Sequence, residues 1–325
     1  MSKVNPRRRV ADLLAPVVDL LLLPLAFLSA VVLRGVRRLG LQRLPMCRRM
    51  LVKVGLLPIR KHYYEPFTTA ADLRLPLSQE RLLPGIKWND AEQVAYLSTL
   101  TYADELANID GPRTDPLEFH LSNDSFGSGD AEFLYQLIRD KKPKRVFEIG
   151  SGHSTLMARS AISRNSREMP GYSCTHICIE PYEAPWLERA VTQVLRKRVE
   201  DVDRALFDEL EENDVLFVDS SHIIRPQGDV VTEYLQILPA LRPGVIVHVH
   251  DIFSPRDYPA EWVLDRFWLW NEQYLLEALL SNTDCWEVVA ALNRLKHSHF
   301  QELQRVCPYL TPDREPGSIY IRKIK

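Results

Sequence analysis

No CxxC pair occurs among the five cysteines (Cys47, Cys174, Cys178, Cys285 and Cys307), and their number is odd. That excludes a disulfide framework and points to a reducing compartment. Cys174-Thr175-His176-Ile177-Cys178 has metal-like spacing, but strand alternation would place all three side chains on one face, so core packing is expected. No internal repeat and no low-complexity tract is present. A strong net charge is missing too, the formal sum being −2. That sum hides an asymmetry, because acids are nearly absent from residues 1–62. This segment holds thirteen Lys/Arg against only Asp12 and Asp19, while the rest holds 28 basic and 41 acidic residues. An acidic body argues against a broad nucleic-acid face, so no nucleic-acid partner is expected.

There is one long apolar run, Leu13 to Leu33, with a single charge at Asp19. About 20 such residues cross a bilayer. Pro16 and Pro24 would kink the run, and Asp19 is costly in hydrocarbon. Arg7, Arg8 and Arg9 precede it, and Arg34, Arg37, Arg38, Arg43, Arg48 and Arg49 follow it. The heavier basic flank predicts a membrane-associated chain whose body faces the cytoplasm. A cleaved signal peptide fits poorly, because the run is long and arginines follow at once. A helix lying in the interface, or a re-entrant hairpin, stays open.

The centre of the chain is Arg145-Val146-Phe147-Glu148-Ile149-Gly150-Ser151-Gly152-His153-Ser154-Thr155. It reads as a buried strand, a glycine turn and a helix start. Ser154 or Thr155 would cap the helix, whose first amides then face a ligand. Before it, residues 91–106 have helical periodicity. Residues 121–130 form a polar loop that is either a solvated connector or a cofactor lid, and a helix over 131–139 follows. After it, strands are predicted at Arg145–Ile149, Thr175–Glu180, Val215–Asp219 and Val245–His250, with a weaker one near Arg198–Asp201. Helices are predicted at Thr155–Asn165, Pro185–Arg196 and Val230–Leu241. Alternation of this kind implies a parallel sheet with helices on both faces. The end differs: a long Trp-rich helix over Glu261–Leu280, a strand over Trp286–Leu292, a short helix, and a last strand over Ser318–Arg322. With no helix after it, the last strand can return antiparallel.

In such sheets ligands bind at the carboxyl ends of the strands. Four strand ends here carry polar groups: the glycine turn, Glu180, Asp219-Ser220-Ser221-His222 and His248-Val249-His250-Asp251. Glu180 could accept two hydrogen bonds from ribose hydroxyls. Histidine suits a general base near neutral pH, making His222 and His250 candidates. His248, inside its strand, is expected to be a core residue. Trp262, Trp268 and Trp270 are expected in the core rather than in a substrate box. Tyr63 and Tyr64 could close a pocket or simply pack.

The motifs Val-Phe-Glu-Ile-Gly-Ser-Gly-His-Ser-Thr, Ile-Glu-Pro, Leu-Phe-Val-Asp-Ser-Ser-His and Pro-Gly-Val-Ile-Val-His-Val-His-Asp-Ile resemble the successive motifs of class I S-adenosylmethionine-dependent methyltransferases. The resemblance is nearest to macrocin-type and other sugar or natural-product O-methyltransferases, and covers roughly residues 120–325. It implies an α/β, Rossmann-like, seven-stranded, mostly parallel sheet with an antiparallel last strand and helices on both faces, preceded by the N-terminal hydrophobic helical arm. It implies S-adenosyl-L-methionine as cofactor, held by Glu148, Gly150, Ser151, Gly152, His153 and Ser154 at the methionine end and by Glu180 at the ribose. Asp201 would flank the adenine, and Asp219 would complete the cofactor-binding set. His222, His250 and Asp251 become the catalytic candidates. Asp219, His250 and Asp251 sit where catechol-type relatives bind a divalent metal. Ser154 departs from the pattern, since many members carry a third glycine there.

The expected organisation is a basic, membrane-associating arm over 1–55, a linker and helical cap over 56–125, and the methyltransferase domain over 126–325. The acceptor would be a small molecule or glycan: a hydroxyl on a sugar, glycan or lipid-linked intermediate. Two alternatives are a dinucleotide-dependent oxidoreductase, which would want an unbroken parallel sheet, and a non-catalytic membrane adaptor retaining the cofactor fold.

Overall fold

The computed structural model describes residues 6–325 except 108, 110, 112–114, 116, 124 and 183, with the backbone alone for 6–12. The chain divides into two compact units, Met1–Leu73 and Arg74–Lys325. The segment expected as a linker is split by that boundary.

In the first unit, α1 (Pro6–Leu39) runs without a break through Pro16 and Pro24. Its Leu13–Leu39 stretch contains an 18-residue window of mean hydropathy 2.3 in which no residue is buried. Among the described residues it is the one helix long and apolar enough to cross a membrane. A turn leads to α2 (Pro45–Val54), which also buries no residue and ends on Gly55 in the left-handed region. Glu65 ties the returning chain to α1: it accepts two hydrogen bonds from Arg37, both 3.1 Å, and one from Arg60 at 3.3 Å. Tyr63 and Tyr64 are 92% and 85% exposed, their rings set edge-on to one another at 5.1 Å, so neither closes a pocket within its unit.

The second unit is a seven-stranded sheet: β1 (Arg145–Ile149), β2 (Thr175–Ile179), β3 (Gln193–Leu195), β4 (Val215–Val218), β5 (Ile246–His250), β6 (Trp286–Ala291) and β7 (Ser318–Lys323). Their spatial order is β3-β2-β1-β4-β5-β7-β6. β7 pairs antiparallel with both β5 and β6, and the pairs from β3 through β5 are parallel. The central strands β4 and β5 are buried along their whole length, as strands covered on both faces must be. α3 (Asp90–Thr99), α4 (Asp130–Lys141) and α5 (His153–Glu168) cover one side; Phe133, Leu137, Leu156 and Ala161 are buried there. Tyr234, Leu238 and Leu276 are buried in the large cluster on the other.

Two predicted elements fail. Pro185–Arg196 is not a helix; it holds a single 3-10 turn, Leu187–Arg189, followed by β3. The weak third strand expected near Arg198–Asp201 is instead a 3-10 turn, Val199–Asp201. Nor is Glu261–Leu280 continuous. It breaks into a π-wound turn, Glu261–Asp265, and a helix, Glu272–Leu280. Asn271 and Glu272 turn away from helix bonding because both backbone N–H groups donate to the His222 carbonyl, at 2.9 and 3.1 Å. A tertiary contact thus overrides the local periodicity.

Candidate functional site

The first wall of the site is the turn between β1 and α5. Gly150 has φ +79°, and a Cβ there would stand 1.9 Å from the Asp219 carbonyl oxygen. Only glycine lets β1 end this close to β4. The turn is also knitted to its neighbours: Gly150 N donates to Ile179 O at 3.1 Å, and Asp219 N to Ile149 O at 2.8 Å. Capping comes from Thr155, whose hydroxyl accepts from Gly152 N at 3.2 Å.

Glu148 lies beneath this turn rather than in front of it. It is buried, accepts from Thr155 Oγ1 at 2.8 Å and Ser154 Oγ at 3.2 Å, and pairs with His176 Nε2. A carboxylate so engaged braces the loop, so its expected contact with the cofactor's methionine end is corrected to a supporting role. His176 and Cys178 are buried and Cys174 is half-buried, in keeping with core packing.

In front of the turn lies a cleft with two lobes, about 620 and 790 Å³, that share Gly150, Glu180 and Asp219. Ser151, Gly152, His153, Ser154 and Trp186 line the first, together with Ser125 and Phe126 of the polar loop. That loop is therefore a wall of the cleft rather than a solvated connector. Asn123 shapes it by accepting from Ser125 N at 3.1 Å and Phe126 N at 2.7 Å, and Ser125 Oγ lies 3.0 Å from His153 Nδ1. The second lobe is lined by Val199, Glu200, Ser220, Ser221 and Arg225. Asp201 is not there: its side chain is 57% exposed and pairs with Arg198. Glu200, one residue earlier, faces the lobe in its place.

The lining fits a sulfonium nucleoside. Arg225 lies near Asp229 and Glu200, and Arg198 is spent on Asp201, so among the residues described in this cleft no free basic cluster awaits a phosphate. Glu180, at the end of β2, accepts from Tyr182 N at 2.8 Å and Ser151 N at 3.4 Å. The Ser151 hydroxyl is buried with no hydrogen-bond partner of good geometry among the described residues. The residues that could hold the cofactor are Gly150, Ser151, Gly152, His153, Ser154 and Glu180, with Asp219 where the lobes meet.

At that junction stands a cluster of histidines and acids. His222 Nε2 lies 3.3 Å from Asp219 Oδ1 and 3.5 Å from Asp251 Oδ2, and its Nδ1 is 2.7 Å from Glu272 Oε2. His250 Nδ1 is 3.4 Å from Asp219 Oδ1 and 3.6 Å from Asp251 Oδ1. Both His222 (φ 58°) and Asp251 (φ 57°) occupy the left-handed region, which costs a non-glycine residue about 1–2 kcal/mol. Strain at two facing strand ends is a mark of function.

Charge is tightly balanced here. Burial would hold the His222 pKa down, but the Asp219 and Glu272 carboxylates override it and raise it well above the usual imidazole value. For His250 the same contest, won by Asp251 and Asp219, ends at about 10. Burial would push Asp219 up, yet His250 and His222 hold it far below the ordinary carboxylate range. Asp251 rises to about 6, because burial and Asp219 outweigh the pull of the imidazoles. In this cluster, ligand atoms of Asp219, His222 and Asp251 could converge on one cation, all lying within 4.8 Å of one another. Of the expected metal set, Asp219 and Asp251 thus converge with His222, and His250 Nδ1 stands 3.4 and 3.6 Å from the same two carboxylates. His248 is a core residue, buried, 2.8 Å from Ser318 Oγ and stacked on Tyr320 at 4.1 Å.

Sequence reasoning missed Glu272. It is fully buried, and it also accepts from Tyr234 OH at 3.0 Å. The signal was an acid next to Asn271, which reads as a helix start once the long helix is divided. The three tryptophans were also misplaced. Trp262, Trp268 and Trp270 are half-buried and packed on one another with centroids 4.4–5.2 Å apart, and Trp270 lies 4.3 Å from the His222 ring. They form a semi-exposed aromatic strap beside the cluster rather than core.

Sheet order, antiparallel β7 and a cleft at the strand ends define a Rossmann-like methyltransferase fold. Residues 147–252 match the family model described as a methyltransferase domain. The match covers about a third of the chain. An uncharacterized protein of Archaeoglobus fulgidus is 26% identical over 165 residues, covering 47% of this chain and 73% of that protein. Among solved structures, a Bacillus cereus O-methyltransferase complexed with S-adenosylhomocysteine is similar at 13% identity and a TM-score of 0.36, covering 72% of this chain and 91% of that one. A TDP-rhamnose 3'-O-methyltransferase of calicheamicin biosynthesis is similar at 15% identity and a TM-score of 0.37, covering 73% and 95%. A methyltransferase of the mycinamycin pathway, in complex with Mg and S-adenosylhomocysteine, shows 16% identity and a TM-score of 0.33, covering 59% and 49%.

Proposed function

We propose that the enzyme methylates a hydroxyl on a sugar, glycan or lipid-linked intermediate, with His222 as the base and residues 1–55 holding it to a membrane, its catalytic domain on the cytoplasmic side. The observation that carries this reading is His222 itself. Its Nδ1 is held by buried Glu272, and its Nε2 lies 3.3 Å from Asp219, which lines both lobes of the cleft, and 3.5 Å from Asp251.

The cofactor supplies a methyl group already activated on a sulfonium, so the protein needs little covalent chemistry. Its task is to align the acceptor oxygen with that methyl and remove the hydroxyl proton. His222 Nε2 takes the proton, and Glu272 fixes the ring and stabilises the imidazolium that forms. Asp219, between the two lobes, offers a negative partner to the cationic cofactor. The tryptophan strap supports a ring-bearing acceptor, since sugars stack on indole faces. The apolar α1 supports the lipid-linked variant. A divalent ion on Asp219, His222 and Asp251 is a second use of the same atoms, and it would make His222 a ligand instead of a base.

Transfer of labelled methyl into fractionated lysate, with the product identified by mass, tests the acceptor class. His222→Ala should keep cofactor affinity within about twofold and lose turnover, and chelation by EDTA should leave wild-type turnover unchanged. Normal turnover in His222→Ala would remove the base, and loss of turnover with EDTA would favour the metal.

A further inference from the structure

We propose that the cleft between the end of α1 and residues 58–62 is a binding site for the phosphate of a membrane lipid. The proposal rests on the reading of α1 as a membrane span, and concerns a different site from the methyl-transfer cleft.

The cleft measures about 870 Å³ and mixes two chemistries. Ala30, Leu33 and Ile59 give it an apolar side, and Arg34, Arg38, Arg60 and Lys61 a cationic one. No acidic residue lines it. Ala30, Leu33, Arg34 and Arg38 follow one another at helical spacing, so they share a face of α1. The opposite wall is fastened in place, because Glu65 binds Arg37 and Arg60 together. Lys61 is partly engaged with Asp72 at 3.1 Å. Arg34 and Arg38 have no carboxylate partner among the described residues, so two guanidinium forks remain available at the mouth.

Position decides what they meet. From Leu13 to Leu33 the helix rises roughly 31 Å at about 1.5 Å per residue, which matches a hydrocarbon core of about 30 Å. Arg34 and Arg38 then stand at the level of the lipid phosphates, with Leu33 and Ala30 just inside the acyl region. Guanidinium forks match phosphate oxygens in pairs. A choline headgroup carries its own cation and is a poorer fit to this charge than an exposed phosphate. A ligand with a phosphate at one end and an apolar tail at the other satisfies both sides of the cleft.

The test uses the full chain in phosphatidylcholine bilayers doped with phosphatidate, with native mass spectrometry counting the lipids retained. Wild type should retain phosphatidate over phosphatidylcholine at least tenfold beyond their ratio in the bilayer. Arg34→Gln with Arg38→Gln should lose most of that preference while binding S-adenosylmethionine as wild type does. No preference in wild type, or full preference in the double variant, would overturn the site. Calorimetry with inorganic pyrophosphate separates the sources: binding as tight as that of phosphatidate would overturn the lipid assignment. Failure of the protein to float with vesicles of any composition would instead overturn the membrane reading of α1.

Discussion

Glu272→Gln isolates the electrostatic half of the proposed base. The Glu272 carboxylate is fully buried, 2.7 Å from His222 Nδ1 and 3.0 Å from Tyr234 OH. Glutamine keeps the volume and one accepting oxygen, so the ring stays oriented, but the charge is lost. A hydrogen bond to a charged group contributes about 1.5–3 kcal/mol, against about 0.5–1.5 kcal/mol for a neutral one. The difference, about 1–2 kcal/mol, corresponds to roughly one pKa unit of His222 at 1.36 kcal/mol per unit. The direction follows from His222 being held above its ordinary value by Asp219 and Glu272. Its neutral, proton-accepting form dominates only on the alkaline side of that raised pKa. Removing one carboxylate lowers it, so the acidic limb of the rate profile should move about one unit towards lower pH. The plateau rate should fall several-fold, because a less basic imidazole pulls the proton less strongly. The assay is single-turnover methyl transfer across pH, with cofactor affinity measured in parallel. An unmoved acidic limb, with the fold and cofactor binding intact, would refute the dyad.

The two glycines of the first turn should part company. Gly150→Ala forces a Cβ to 1.9 Å from the Asp219 carbonyl at φ +79°, and should cost about 2–5 kcal/mol in thermal melts. Gly152→Ala meets no atom within 4 Å, so it should melt like wild type and instead weaken calorimetric binding of cofactor, because its methyl stands at the cleft wall. Trp270→Ala should raise the acceptor KM more than it lowers kcat, since Trp270 packs beside His222 without a polar role in the cluster. Far from the site, Arg294 donates to both Asp90 oxygens at 2.7 Å and, chiefly through those hydrogen bonds, holds that carboxyl below its ordinary value. A depressed folded pKa gives stability that is present above about pH 4 and lost as pH falls. Asp90→Asn should therefore melt ~0.5–1 kcal/mol below wild type at pH 7, with the gap closing as pH falls through the lowered pKa of Asp90.

The strands and their polar ends were legible because burial on both faces leaves a continuous apolar run that stops where the ligand begins. Val215–Val218 is such a run, ended by Asp219; in Ile246–His250 the run is interrupted by buried His248 and His250 before Asp251. The antiparallel β7 followed from the missing helix after it. What failed depended on contacts distant in sequence. β3 is three residues long and pairs only with β2, so nothing local separates it from a turn of helix. The break before Glu272 is made by the His222 carbonyl, about 50 residues away, and that break conceals both the base's partner and the exposure of the tryptophans. Glu148 shows the converse: its place in the motif was plain, but only the structure shows that Ser154, Thr155 and His176 occupy it. Asp201 was one residue out of register, with Glu200 on the cleft side of the same turn.

Calorimetric titration of the intact chain with S-adenosylmethionine tests the central claim most directly. The cleft predicts one site per chain, displaced by S-adenosylhomocysteine and weakened at least tenfold by Glu180→Ala in a protein that melts normally. A folded chain that binds neither molecule would contradict it.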